Sequence, residues 1–286
     1  SATPMPPDRY LGTSDWVSIS SETARELYRA PSVTNRRRYR RRGSMDIEQV
    51  GDWIREFHRD NDRSLLVVLN LVGKGTWPLR KRFRGYYDPW ADAEQVTEEG
   101  SDRTVVFLDG LTPPLYRRRL VQHCHQAMQR RPVTLITTQM VEVGVDLDFQ
   151  HALIDFQGLA ATIQRGGRVG REGGDQPCMV EVFSLMLEDG RTSFEVLQAV
   201  RDRNDPRYRL ESLFDREKKV EQRRDRLETR YVRRKWGEGE EKTDAELTEE
   251  LLRVLERTLR RQKSEGVLTD FFYDLAGAGS DWGLNL

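Results

Sequence analysis

Five short apolar runs constrain this chain more than any other feature. They are Leu65-Leu66-Val67-Val68-Leu69, Thr104-Val105-Val106-Phe107-Leu108, Val133-Thr134-Leu135-Ile136-Thr137, Ala152-Leu153-Ile154-Asp155-Phe156 and Met179-Val180-Glu181-Val182-Phe183. Each is short and mostly β-branched or aliphatic, with little polar alternation, as expected of strands covered on both faces. Helical stretches at residues 114–130 and 159–165 separate them. Strands alternating with helices predict an α/β fold whose parallel sheet is built from right-handed βαβ units. Ahead of the first run, Ile47, Val50, Ile54 and Phe57 recur at helical spacing behind Asp46, which takes the N-cap position. Residues 15–20 read as a further short strand.

The flanks have a different texture. In 286 residues, 37% are hydrophobic and 33% charged, which predicts an ordinary core carrying a solvated appendage. Lys plus Arg and Asp plus Glu both number 47, so the net charge favours no class of partner. The two cysteines, Cys124 and Cys178, make no disulfide framework, and a reducing, cytoplasmic setting is the default. No run approaches the roughly 20 apolar residues of a membrane span. The chain opens without Met at Ser1-Ala2-Thr3, which reads as part of a longer protein. Residues 1–190 are expected to form one lobe and residues 191–286 a helical linker or extension. Within the latter, Leu247, Leu251, Leu252, Val254, Leu255 and Leu259 make an amphipathic stripe, expected to pack against a part of the protein outside this sequence. The remaining charged helical surface reads as solvated, with guidance of single-stranded DNA as the other reading. The run Arg36 to Arg42, interrupted only by Tyr39, admits two readings: a phosphate-binding patch with Tyr39 stacking on a base, or a disordered insertion loop. His123-Cys124-His125 is read as ordinary helix surface with Cys124 turned inward; adjacent helical residues point different ways, so no metal site is expected.

Chemistry concentrates in Gln164-Arg165-Gly166-Gly167-Arg168-Val169-Gly170-Arg171. Arg165, Arg168 and Arg171 recur three apart, which places them near one helical face. Guanidinium is permanently charged and offers a planar fork matched to phosphate oxygens. Phosphoryl transfer depends on charge neutralisation, and a supplied arginine is worth about 10³–10⁵ in rate. Upstream, residues 137–146 end a predicted strand. Ligands of open parallel sheets bind beyond the carboxyl ends of strands, so Thr138, Gly144 and Asp146 are expected at that edge. Glu142 is charged in an apolar neighbourhood and needs a partner; an arginine of the later motif is one candidate.

In order and spacing, these segments resemble the motifs of superfamily 2 helicases. Thr138, five residues, Gly144-Val145-Asp146, a strand and then Gln164 to Arg171 resemble motifs V and VI. Ser1-Ala2-Thr3 resembles motif III. Val67-Val68-Leu69-Asn70 resembles motif IV, and residues 109–119 resemble the segment that touches the nucleic-acid backbone. The form Thr138-Gln139-Met140-Val141-Glu142-Val143-Gly144-Val145-Asp146 most resembles the CRISPR-associated type I nuclease-helicase family. The resemblance implies a second, RecA-like lobe: a parallel sheet flanked by helices, followed by a charged helical extension.

It also implies roles. Arg168 and Arg171 would be arginine fingers, with Gln164 beside the phosphates. Gly144 and Asp146 would contact the nucleotide. Thr138, Arg117 and Asn70 would hold the tracked strand, and Ser1 and Thr3 would couple hydrolysis to movement. The implied cofactor is ATP with Mg²⁺, held mainly by a first lobe outside this sequence. Gly73-Lys74-Gly75-Thr76 fails as a P-loop, since Val68 stands in place of its first Gly and Gly75 in place of its hydroxyl; it reads as a loop. No Asp-Glu-x-Asp/His segment and no His-Asp pair occurs in the sequence. The implied partners are single-stranded DNA, the N-terminal RecA-like lobe and a CRISPR surveillance complex. Two rival readings stand beside this one: another superfamily 2 translocase of repair or restriction, and a degenerate motor half acting as a nucleic-acid-binding scaffold.

Overall fold

The computed structural model describes residues 36–83, 103–142, 146–171, 177–204 and 214–263. Ser1, Thr3, Gly144 and the expected strand at residues 15–20 lie outside them. The strands are β1 (Arg37–Met45), β2 (Leu65–Val68), β3 (Thr104–Leu108), β4 (Val133–Thr137), β5 (His151–Asp155), β6 (Cys178–Leu185) and β7 (Glu241–Thr243). The helices are α1 (Ile47–Asp60), α2 (Trp77–Arg82), α3 (Pro114–Met128), α4 (Leu159–Gly166), α5 (Ser193–Asn204), α6 (Phe214–Lys235) and α7 (Asp244–Lys263). The strands form one sheet in the order β3-β4-β2-β5-β6-β1-β7, parallel throughout except for β7. All five apolar runs became strands, and the α/β architecture, a parallel sheet flanked by helices, holds.

The sheet is buried on both sides because its strands have two apolar faces. Leu66 and Val68 of β2 belong to one core cluster, and Leu65 and Val67 to the other. The first cluster takes Leu120 and Cys124 from α3, Leu159 from α4, Trp236, and Leu247 and Val254 from α7. The second takes Val50, Ile54 and Phe57 from α1 and Leu79 from α2. Asp46 caps α1 in a full capping box: its carboxylate accepts from Gln49 N at 2.8 Å, and Gln49 Oε1 accepts from Asp46 N at 2.9 Å.

Three expectations change. The basic run at residues 36–42 is neither a loop nor an open patch: it is β1, an interior strand between β6 and β7. Tyr39 is fully buried. The guanidiniums find distant partners: Arg37 with Asp244 at 3.2 Å, Arg40 with Glu241 at 3.0 Å, and Arg42 with Glu181 at 3.0 Å. Burial alone would raise the Glu181 carboxyl, but the hydrogen bonds from Arg42 and the nearby His151 ring, 3.8 Å away, outweigh it and hold the group at about 2. Residues 73–76 are not a loop either. Val72–Thr76 forms a π-helical turn that runs directly into α2. Of the 123–125 trio, His123 as well as Cys124 is buried, so that helix face is not surface.

A fourth change concerns the leucine stripe of α7. Leu247 and Val254 are buried in this chain's own core, with α7 packed on α4 and α6 and with β7 completing the sheet. Leu252, by contrast, is half exposed. Leu247→Ala should therefore cost about 2–5 kcal/mol of stability in urea unfolding, while Leu252→Ala should stay within about 0.5 kcal/mol. Equal effects would mean that the stripe does not pack on its own chain.

Candidate functional site

The arginine segment begins as α4 and ends in a turn. Its three arginines, equivalent in sequence, have three different environments. Arg165 is completely buried. Its Nε donates to Glu142 Oε1 at 2.8 Å, and one terminal nitrogen donates to Asn70 Oδ1 at 2.9 Å and to the Asp155 carbonyl at 3.0 Å. The other terminal nitrogen donates to Gln157 Oε1. The partner expected for Glu142 is thus Arg165. Gln164, beside it on α4, is half-buried.

Arg168 is half-buried and donates to the Glu142 carbonyl. Burial and the neighbouring Arg171 lower its pKa, while Asp146 and Glu142 pull the other way. Arg171 is the most open of the three. Its side chain meets Asp146 Oδ1 at 2.5 Å, and its backbone N–H donates to Asp148 Oδ1 at 2.8 Å. Asp146 itself is 93% exposed, so this pair is solvated and weak.

The position of this cluster corrects the expected edge. Phe149 bridges Val169, with Phe149 N donating to the Arg168 carbonyl and Gly170 N to the Phe149 carbonyl, both near 3 Å. Phe149 immediately precedes β5. Asp146, Arg168 and Arg171 therefore gather at the amino end of the sheet, not the carboxyl end. The physical reason is α4, which starts at the carboxyl end of β5 and runs back across the sheet before the turn.

Thr138 does lie at the carboxyl end, buried where β4 gives way to a short 3₁₀ turn, Gln139–Val141. Arg117, in the first turn of α3, also serves that edge, and its Nε donates to the Thr112 carbonyl at 2.6 Å. Asn70 is interior. Its amide nitrogen donates to the Phe156 carbonyl at 2.9 Å and to Ser193 Oγ at 3.0 Å, and its oxygen is held by Arg165.

Sequence reasoning passed over Asp155, a lone carboxylate closing an apolar run. It is fully buried at the end of β5. It accepts from Asn70 N at 3.1 Å, Leu185 N at 3.0 Å and Ser193 Oγ at 2.6 Å. It thereby ties the ends of β2 and β6 and the start of α5 to β5. Burial pushes its pKa up to about 6, against those hydrogen bonds and Arg165, which lower it. The sequence signal was present: a charge inside a predicted buried strand needs partners.

Two outcomes follow for the isolated chain. Arg165→Ala should cost about 3–5 kcal/mol, since it strands Glu142 and Asn70 in the interior. Arg168→Ala should cost no more than about 1 kcal/mol. Urea titration separates them, and equal losses would remove the distinction. The folded state also binds the Asp155 proton more tightly than the unfolded chain does. That contribution is present at low pH and lost as pH rises through about 6. Glu228, which burial pushes up to about 7, acts with the same sign. Stability should therefore fall between about pH 5 and about pH 7, and Asp155→Asn should flatten part of that slope. A rising stability over this interval would contradict the buried-carboxyl account.

Residues 90–174 match the family model described as CRISPR-associated nuclease/helicase Cas3, C-terminal. A CRISPR-associated nuclease/helicase Cas3 of Haloferax volcanii is 34% identical over 101 residues, covering 34% of this chain and 11% of that protein. The chain thus corresponds to a small part of that relative's length. Among solved structures, T. fusca Cas3 with AMPPNP aligns over 86% of this chain and 26% of its own, at 13% identity and a TM-score of 0.47. The C-terminal domain of the DEAD-box protein Dbp5 aligns over 57% of this chain and 84% of its own, at 18% identity and a TM-score of 0.37. Over its matched residues the chain resembles the C-terminal helicase region of the CRISPR-associated nuclease/helicase Cas3, the family to which its motifs pointed.

Proposed function

We propose that this chain is the second motor lobe of an ATP-dependent single-stranded-DNA translocase in a CRISPR type I interference nuclease-helicase. In this reading residues 1–190 are the lobe and residues 191–286 its extension, whose described helices α6 and α7 pack on each other and onto the core. The observation that carries this reading is the pairing of Arg168 and Arg171 on one buttressed turn. Arg168 is half-buried and Arg171 open, and the carboxylate paired with Arg171, Asp146, is solvent-exposed. An arriving phosphate would meet two guanidiniums at an edge whose geometry is already fixed, which is the arrangement electrostatic catalysis requires.

ATP with Mg²⁺ fits these residues, and when bound it brings the phosphoanhydride bond to be hydrolysed. Arg168 and Arg171 are arginine fingers addressing its terminal phosphate, with Gln164 close by. Asp146 and Gly144 would contact the nucleotide, Asp146 from its place beside Arg171. Thr138 and Arg117 hold the tracked strand at the opposite edge of the sheet. Asn70 contributes by fixing the end of β2, because its side chain is occupied inside. Ser1 and Thr3 couple the two events. The first lobe holds most of the nucleotide and the metal, and a CRISPR surveillance complex is the recruiting partner.

The 286-residue chain alone should show no ATP turnover with or without single-stranded DNA. In the full-length protein, Arg168→Ala and Arg171→Ala should each reduce DNA-stimulated hydrolysis by about 10³-fold or more while ATP binding stays within a few-fold. Turnover by the isolated chain, or full activity in either mutant, would end the arginine-finger assignment.

A further inference from the structure

The helix that carries the arginines has no cap of its own. Gly158, which precedes Leu159, has no side chain, and no side-chain cap hydrogen bond is made there. Its φ of +116° lies in a region that favours glycine. The space a Cβ would fill is occupied from elsewhere. Glu228 Oε2, from the middle of α6, lies 2.4 Å from that Cβ position. That places the Glu228 carboxyl beside the Gly158–Leu159 peptide, where the first-turn N–H groups of α4, which have no partner within the helix, begin. The residue is 3% exposed. An acidic group at this end also complements the helix dipole.

The far end of α4 is held by the same extension. A Cβ on Gly166 would meet Tyr39 Oη at 2.3 Å, so the ring sits directly against the helix. Tyr39 Oη donates to Asp244 Oδ1 at 2.7 Å, and Asp244 opens α7. Both ends of an eight-residue helix are therefore fixed by residues of α6 and α7, or by a residue these hold.

We infer that Glu228 is a positioning residue for Arg168 and Arg171, acting through α4, so that the C-terminal extension sets the placement of the arginine fingers. The inference rests on the motor reading above. A short rigid helix of about 12 Å transmits a displacement at its capped end to the turn at its other end. Loss of the cap frees the first turn and loosens the turn that follows, whereas ATP affinity depends mainly on the other lobe. The effect belongs in kcat rather than KM.

The test compares Glu228→Ala and Glu228→Gln in the full-length protein, with hydrogen exchange followed on the 286-residue chain. Glutamine keeps an amide oxygen beside the first turn of α4; alanine does not. Glu228→Ala should lower kcat by about ten- to a hundredfold with KM for ATP within about twofold, as a roughly 1 Å misplacement of catalytic groups would. The Leu159 amide should exchange at least about tenfold faster, with the amides of β2 and β4 unchanged. Glu228→Gln should restore both readouts to within about threefold of the parent. Wild-type kcat in Glu228→Ala while Arg168→Ala is inactive overturns this inference alone. Equal damage in the Gln and Ala variants overturns it too. Full activity in Arg168→Ala overturns the motor reading and this inference with it.

Discussion

The structure depends on one buried guanidinium. Arg165 makes four hydrogen bonds in the interior, to Glu142, Asn70, Gln157 and the Asp155 carbonyl. Moving an unpaired charge into a protein interior is strongly unfavourable, and only full satisfaction of its donors offsets the loss of water. Here the acceptors come from the ends of β2, β4 and β5, so the requirement to satisfy Arg165 fixes those ends relative to α4. Asp155 extends the same network with three accepted hydrogen bonds, reaching Leu185 of β6 and Ser193 of α5. The arginine motif thus divides its labour by burial. Its first member builds the platform, and the next two, progressively more open, face outward from it.

The parallel sheet was legible because its strands have a composition only double coverage explains. Runs such as Leu65 to Leu69 have no polar face to offer water. The Asp46 cap was legible because capping is local chemistry between residues three apart. Strand β1 was not legible. Five arginines around one tyrosine carry no apolar period, and what lets them lie in a sheet is a set of partners that the chain supplies far away: Glu181, Glu241 and Asp244. Long aliphatic stems cover the sheet while the charged heads reach those carboxylates. The edge at which Asp146 sits was misread for a related reason. The rule about carboxyl ends concerns loops directly after strands, whereas a short helix carries this chain's arginines back to the opposite edge.

That return path organises the site. Thr138 and Arg117 mark one edge of the sheet and Arg168 and Arg171 the other, with α4 as the direct covalent link between the buried network and the arginines. The extension helices contribute core residues such as Tyr231 and Leu247, so they belong to the same packed unit as the sheet. Glu142 joins the two arginine environments through different atoms, its carboxylate on Arg165 and its carbonyl on Arg168. Interior and exposed members of the motif are therefore coupled through one residue.

Strand β1 comes before every other described element, yet its neighbours are β6 and β7, and Tyr39 meets Asp244 across 205 positions of sequence. During synthesis this segment must wait for nearly the whole lobe before it can pair. Such long-range closure slows folding and leaves a strand exposed in the meantime. An apolar strand in that situation invites pairing with other chains, while a row of like charges repels a second copy of itself. The arginines that disguised β1 thus keep a late-pairing strand from aggregating until its own acidic partners emerge from the ribosome.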